Sequence, residues 1–191
     1  MHVSASTSLG LTPNRKVHVG TVDEALRLGA DAISVHVNIG CKDEPEMLMG
    51  LGNLSNQCDE MGLPLLAMMY PRGENVKDPY DPKLVGHAAR IGAELGADIV
   101  KTVYTGHIDS FRKIVEDCPV PVVIAGGPKI ESTAAVLRTV GEAVQAGAIG
   151  VSFGRNVFQH EQTQMIVKAL SKIVLKRYPV EEVVSSLKTP F

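Results

Sequence analysis

Short apolar runs rich in β-branched residues alternate along this chain with longer segments whose apolar positions recur every three to four residues. The runs at 2–6, 31–37, 64–69, 98–103, 120–125 and 149–153 predict strands. The amphipathic segments at 22–28, 45–61, 82–95, 108–116, 132–146 and 159–177 predict helices, with a last short helix at 180–187. A strand that is followed each time by a helix returns parallel to its predecessor, so the pattern predicts an α/β fold with a parallel sheet. The punctuation agrees. Gly29-Ala30-Asp31, Gly96-Ala97-Asp98 and Gly147-Ala148-Ile149 each set a glycine where a helix gives way to a strand, and glycine alone closes a helix in the left-handed conformation without a Cβ clash.

Six strands leave two architectures open. A closed (β/α)₈ barrel needs eight strands and typically about 250 residues. The chain therefore reads either as an open doubly wound sheet or as a barrel lacking its first two βα units. With 191 residues, 45% hydrophobic and 21% charged, and with no low-complexity linker, residues 1–191 are expected to form a single domain.

Charge and cysteine usage narrow the function classes. The net charge of -2 supplies no overall basic field for nucleic acid, and no run of basic residues forms an arm. Cys41, Cys58 and Cys118 are odd in number, far apart and free of C-x-x-C spacing, which argues against a disulfide framework or a zinc site. No signal-peptide pattern and no membrane-length apolar run is present, so a cytoplasmic protein is expected. There is no G-x-G-x-x-G, no Walker loop and no second histidine after His160-Glu161 to complete H-E-x-x-H. No cofactor and no metal are expected, and small anionic molecules remain the natural ligands.

Chemistry concentrates at the ends of the predicted strands. Lys101 lies in a strand where Ile99, Lys101 and Val103 share one face. An ammonium on a largely apolar parallel strand is expensive, and desolvation that favours the neutral amine would make it a nucleophile for a carbonyl. A lysine with a buried stem and a solvated head gives the same pattern. Tyr70 closes its strand and is followed by Pro71, Arg72 and Gly73, which sets a phenol and a guanidinium where barrel enzymes gather their catalytic groups. A tyrosine bridging core and solvent is the alternative. Two glycine turns, Ala125-Gly126-Gly127-Pro128-Lys129 and Phe153-Gly154-Arg155-Asn156, follow the last two strands. There backbone N–H groups, the start of the next helix and the Arg155 guanidinium can hold a phosphate. His36 shares a strand face with Ser34 and reads as a structural hydrogen-bonder.

These residues resemble one family in order and spacing: Met68-Met69-Tyr70-Pro71-Arg72-Gly73, Gly96 through Thr102, Tyr104-Thr105-Gly106, Ala125 through Lys129, and Gly154 through Gln159. The resemblance, which covers essentially the whole chain, is to the archaeal-type class I aldolases, a family that includes fructose-bisphosphate aldolases and aminodeoxyheptulosonate synthases. It implies a TIM (β/α)₈ barrel type lacking the first two βα units. It implies Lys101 as the Schiff-base lysine and Tyr70 as proton donor, with Pro71 and Arg72 beside the substrate. Gly126, Gly127, Gly154 and Arg155 are implied as phosphate binders. The Ala67-Met68-Met69-Tyr70 run and the Val122-to-Gly127 stretch are closer to the synthase branch. That branch joins a three-carbon unit from a deoxy-ketohexose phosphate to aspartate semialdehyde, in an alternative route to aromatic amino acids. A phosphorylated ketose, a small aldehyde and a homo-oligomer are the implied partners. The chain departs from the family in two places. It has no counterpart of the Asp-His-Gly segment of the family's first strand, whose aspartate acts as general base, and it reads Ser4-Ala5-Ser6 where Ser-Gly-Gly is usual. Fructose-bisphosphate aldolase is the alternative within the family, and a non-catalytic sugar-phosphate-binding or assembly remnant the alternative of another class.

Overall fold

The computed structural model describes residues 1–128, 130 and 132–187. At the N-terminus, residues 1–4 lie parallel to the first long strand, with His2 bridging Ser34. The Val3 N–H donates to Ser34 O at 2.9 Å, and the Ser34 N–H to Met1 O at 2.8 Å. β1 (Ser4–Ala5) then turns into an antiparallel pair with β2 (Val17–His18). The continuous strand expected at 2–6 is thus split between two partners. The hairpin is too short, and its Val17 and His18 too exposed, to leave a periodic signal.

The rest follows the predicted alternation: α1 (Val22–Arg27), β3 (Ile33–Ile39), α2 (Glu44–Met61), β4 (Leu65–Pro71), α3 (Pro82–Glu94), β5 (Ile99–Thr102), α4 (Ile108–Asp117), β6 (Val122–Ala125), α5 (Thr133–Gln145), β7 (Gly150–Ser152), α6 (Arg155–Phe158), α7 (Thr163–Val174) and α8 (Val180–Ser186). The three Gly-Ala junctions behave as read: Gly29, Gly96 and Gly147 have φ of 76°, 89° and 109°. Thr21, Asp81 and Ser132 cap α1, α3 and α5 through their side-chain oxygens. The helix expected at 159–177 begins only at Thr163, as α7, and the single turn of α6 lies ahead of the expected span. His160 delays that start, because its Nδ1 accepts the Gln162 N–H at 3.0 Å and its carbonyl accepts the Thr163 hydroxyl at 3.1 Å, so local bonds replace the helical ladder.

Strand order decides between the two architectures. The sheet runs β3-β4-β5-β6-β7, all parallel and in chain order. A doubly wound sheet reverses its order at a switch point, whereas a barrel wall never does. Right-handed crossovers then place every connecting helix on one side of the arc. That side is the apolar core: Ile33, Val35, Val37, Leu65, Ala67, Met69, Val100, Thr102, Val122 and Ile124 are all but fully buried. The other side carries Ser34, His36, Met68, Lys101, Val103 and Ser152, each half-buried. This is the inward face of a barrel wall, and the five-stranded arc leaves it partly open. Among the described residues no helix is long and apolar enough to cross a membrane. Cys41, Cys58 and Cys118 are buried and free.

Candidate active site

Parallel pairing carries residues of adjacent strands to the same height, and paired residues point to the same side. Met68 pairs with Lys101, and Lys101 with Val123. Lys101 therefore stands on the inward face of β5, the middle strand of five. Tyr70 is two positions beyond Met68 on β4, on the same face and nearer the C-terminal end. The strand extends to Pro71, so Tyr70 is held within the sheet rather than at its end as the sequence indicated. Pro71 alternates to the helix side and is buried. Arg72 follows at once, its N–H bonded to Ile39 O at 2.9 Å, and its guanidinium lies over the Tyr70 ring, 4.8 Å from the centroid.

Burial sets the protonation of this group. Desolvation lowers the Lys101 amine below the ordinary lysine range. Among the described residues Lys101 has no hydrogen-bond or ion-pair partner, so no carboxylate holds it charged. Tyr70 is only 6% exposed, and burial pushes its phenol up to about 12 against a smaller opposing pull from Arg72. It therefore keeps its proton at neutral pH. His36 meets the Tyr70 ring edge-on, with centroids 5.0 Å apart and planes at 82°. Its Nε2 donates to Asn38 Oδ1 at 2.9 Å, and the Asn38 amide, 1% exposed, donates to Asn14 O at 2.7 Å. The bonds of His36 are those of a structural residue that props the tyrosine from β3.

The two glycine turns leave the C-terminal ends of β6 and β7, beside Lys101 in strand order. Gly127 has φ 61°, a left-handed conformation that frees the backbone to turn. A Cβ on Gly126 would come 3.0 Å from Phe153 and 3.2 Å from Asn156, so the two turns are packed against each other. Asn156, 3% exposed, ties them. Its Nδ2 donates to Gly126 O at 2.6 Å and to Pro128 O at 3.2 Å, and its Oδ1 accepts the Ile130 N–H at 2.7 Å. In the sequence Asn156 is a turn residue with no evident role. A polar side chain next to a glycine turn was its only signal. The helix dipoles expected at these turns are weak. α5 starts at Thr133, well past Gly127, and α6 after Gly154 is a single turn, so backbone N–H groups and the exposed Arg155 are the donors in place. Lys129, which closes the first turn in sequence, lies outside the described residues.

An unpaired, desolvated lysine in mid-sheet, a protonated tyrosine one strand away and glycine turns one and two strands away on the other side can bind and activate a phosphorylated carbonyl compound. The family model of DeoC/LacD family aldolases matches residues 1–160. The chain belongs to this family. It is 49% identical over 183 residues to the 2-amino-3,7-dideoxy-D-threo-hept-6-ulosonate synthase 1 of Archaeoglobus fulgidus, covering 96% of this chain and 68% of that protein. It is 44% identical over 174 residues to the 2-amino-4,5-dihydroxy-6-oxo-7-(phosphonooxy)heptanoate synthase of Streptomyces griseus, covering 91% of this chain and 64% of that protein. Among solved structures it superposes on an archaeal fructose 1,6-bisphosphate aldolase with a TM-score of 0.89 at 34% identity, over 92% of this chain and 70% of that one. A second structure, with the catalytic lysine bound to the carbinolamine intermediate, gives a TM-score of 0.88 at 33% identity, covering 91% of this chain and 70% of that one. The chain thus spans about two-thirds of the length of the curated relatives it matches. The barrel-type aldolase fold expected from the sequence is the fold of this family.

Proposed function

We propose that this chain acts as a class I, lysine Schiff-base aldolase or transaldolase of the aminodeoxyheptulosonate synthase type. It would join a three-carbon ketone unit, taken from a ketose phosphate, to aspartate semialdehyde in an alternative aromatic amino acid pathway. The observation that carries this reading is the Lys101 amine, desolvated and unpaired on the inward face of β5. In the neutral form Lys101 Nζ adds to the ketone carbon, giving a carbinolamine. Tyr70 donates a proton to the departing hydroxyl, water leaves, and an iminium forms. The donor's β-hydroxyl then returns a proton to the Tyr70 phenolate as its C–C bond breaks, which releases the aldehyde portion and leaves an enamine on Lys101. The enamine carbon attacks the acceptor aldehyde, forming the new C–C bond as the acceptor oxygen takes up a proton. Water then hydrolyses the iminium, returning the amine. Gly126, Gly127, Gly154 and Arg155 hold the donor's phosphate, and Arg72 steadies the substrate beside Tyr70.

The names of the A. fulgidus and S. griseus proteins support the synthase branch. The superposition on archaeal fructose 1,6-bisphosphate aldolase supports bisphosphate cleavage as the second reading. Three buried free cysteines support a reducing, cytoplasmic setting.

Borohydride reduction in the presence of dihydroxyacetone phosphate tests the central claim. The intact chain is expected to gain the mass of one reduced adduct on the peptide containing Lys101, and Lys101→Met to gain none. Absence of an adduct from folded wild-type protein would remove the Schiff-base reading. Cleavage assays with fructose 1,6-bisphosphate and with the deoxy-ketohexose phosphate separate the two branches.

A further inference from the structure

On the side of Tyr70 away from the glycine turns, the mouth of the sheet collects positive charge of which the reading above uses only Arg72. The segment between β1 and β2 folds over the end of β3, anchored by the bond from Asn38 to Asn14 O at 2.7 Å. It carries Lys16, whose N–H meets Met47 Sδ at 3.3 Å. The Lys16 ammonium donates to Ser6 Oγ and, at 3.3 Å, to Pro13 O. Both partners are neutral.

Lys16 is half-buried; its segment is tied through Asn14 to Asn38 of β3, the strand whose Ile39 O takes the Arg72 N–H, and burial first, then repulsion from Arg72, lowers the Lys16 ammonium below the ordinary lysine range. The fields of both reach His36, and those of Lys16 and Lys101 reach His2. Among the described residues neither Lys16 nor Arg72 forms an ion pair. Two carboxylates of the adjoining loops bond backbone N–H groups and not these cations: Glu44 accepts the Gly40 N–H at 2.5 Å and Glu74 the Lys42 N–H at 3.1 Å. Gathering cations without a counter-charge costs stability, and an anionic ligand is what offsets that cost.

Strand order gives the group its function. Lys101 stands on the middle strand, with the phosphate-binding glycine turns on β6 and β7 and with Arg72 and Lys16 toward β4 and β3. Two strand spacings, about 10 Å, separate β4 from β6. A substrate lying across the sheet therefore places its donor phosphate over β6 and β7, its reacting carbonyl at Lys101 and the far end of the acceptor over β3 and β4. We propose that Lys16 and Arg72 form an anion subsite for the terminal acid group of the acceptor aldehyde, a carboxylate or a phosphate. This places specificity for an anionic acceptor in the segment between β1 and β2. It rests on Lys101 being the site of the donor imine.

Calorimetric titration of the full chain, with the glycine turns occupied by saturating dihydroxyacetone phosphate, tests it. Aspartate, which has the amino and carboxyl groups of aspartate semialdehyde without its aldehyde, probes the carboxylate. Glycerol 3-phosphate probes the phosphate. Wild type is expected to bind one of the two, Lys16→Met to bind it about tenfold or more weakly, and Lys16→Arg to recover most of the affinity. The tighter of the two probes identifies the acid group. Equal binding by wild type and Lys16→Met, or binding of neither probe by wild type, overturns the subsite. Borohydride trapping on Lys101, run on the same samples, reads the donor half alone. Lys16-dependent binding without any trapping would remove the aldolase reading and leave the anion site standing.

Discussion

At the scale of single residues, the site is governed by what burial does to ionisable groups. Lys101 and Tyr70 are pushed in opposite directions along the pH axis by the same cause, because desolvation favours the neutral amine and the neutral phenol alike. These neutral forms are the ones that the proposed roles of nucleophile and proton donor call for. His36 shows the same force with a consequence for stability. Burial lowers its pKa to about 4, helped by repulsion from Lys16, Arg72 and His2 and opposed by the bond to Asn38. The unfolded chain binds a proton near pH 6.5, the ordinary histidine value, so between there and about 4 it holds more protons than the folded chain. The contribution of neutral His36 is thus complete above pH 6.5 and lost as pH falls toward 4, amounting to at most about 3 kcal/mol. Urea unfolding of wild type and His36→Gln at pH 7.5 and pH 4.5 measures it. The acid loss of stability should be smaller in the variant, and an equal loss in both would show that His36 does not carry it.

At the scale of elements, the helices are held to the sheet by the absence of side chains as much as by their presence. Gly92 on α3 faces the strands, and a Cβ there would come within 2.6 Å of Met69 Cγ and 3.2 Å of Val100 Cγ2, both fully buried. Gly92→Ala gains helix propensity of about 1 kcal/mol but overpacks the contact by about 1–3 kcal/mol, so a net loss of stability is expected. Gly52 on α2 meets nothing within 4 Å, and Gly52→Ala should raise stability by about 0.5–1 kcal/mol. Thermal unfolding of the two variants side by side reads the sign at each position, and a stabilised Gly92→Ala would mean that α3 sits farther from the sheet than described. Such contacts could not be foreseen. The sequence shows that positions 82–95 are amphipathic, but not which of its glycines touches another strand's side chain.

At the scale of the whole molecule, a parallel arc in chain order is buried on one side by its helices and half-open on the other. The middle strands β4, β5 and β6 have a partner on both edges, while the β1–β2 hairpin is a short pair in exposed chain. Amide hydrogen exchange is expected to be slowest in β4 to β6 and fastest in residues 7–19; protection of the hairpin equal to that of β5 would contradict this hierarchy. Much of this plan was readable in advance. Periodicity located every long strand and helix within a few residues, because burial on one face writes a period of two or 3.6 into the chain, and the glycine junctions fixed where helices end. The types of group able to do chemistry, an isolated strand lysine, a strand-end tyrosine and two glycine turns, are also local facts of sequence. The structure alone decided their arrangement. Strand order distinguishes a barrel wall from a doubly wound sheet, and register sets Tyr70 beside Lys101. Three hydrogen bonds make Asn156 the tie between the two turns, and a loop folded over β3 brings Lys16 toward Arg72. All of these depend on pairing between residues 22 to 56 positions apart. Such contacts form because the collapsed chain has one way to bury its apolar faces together, and that is a property of the whole chain which no local window contains.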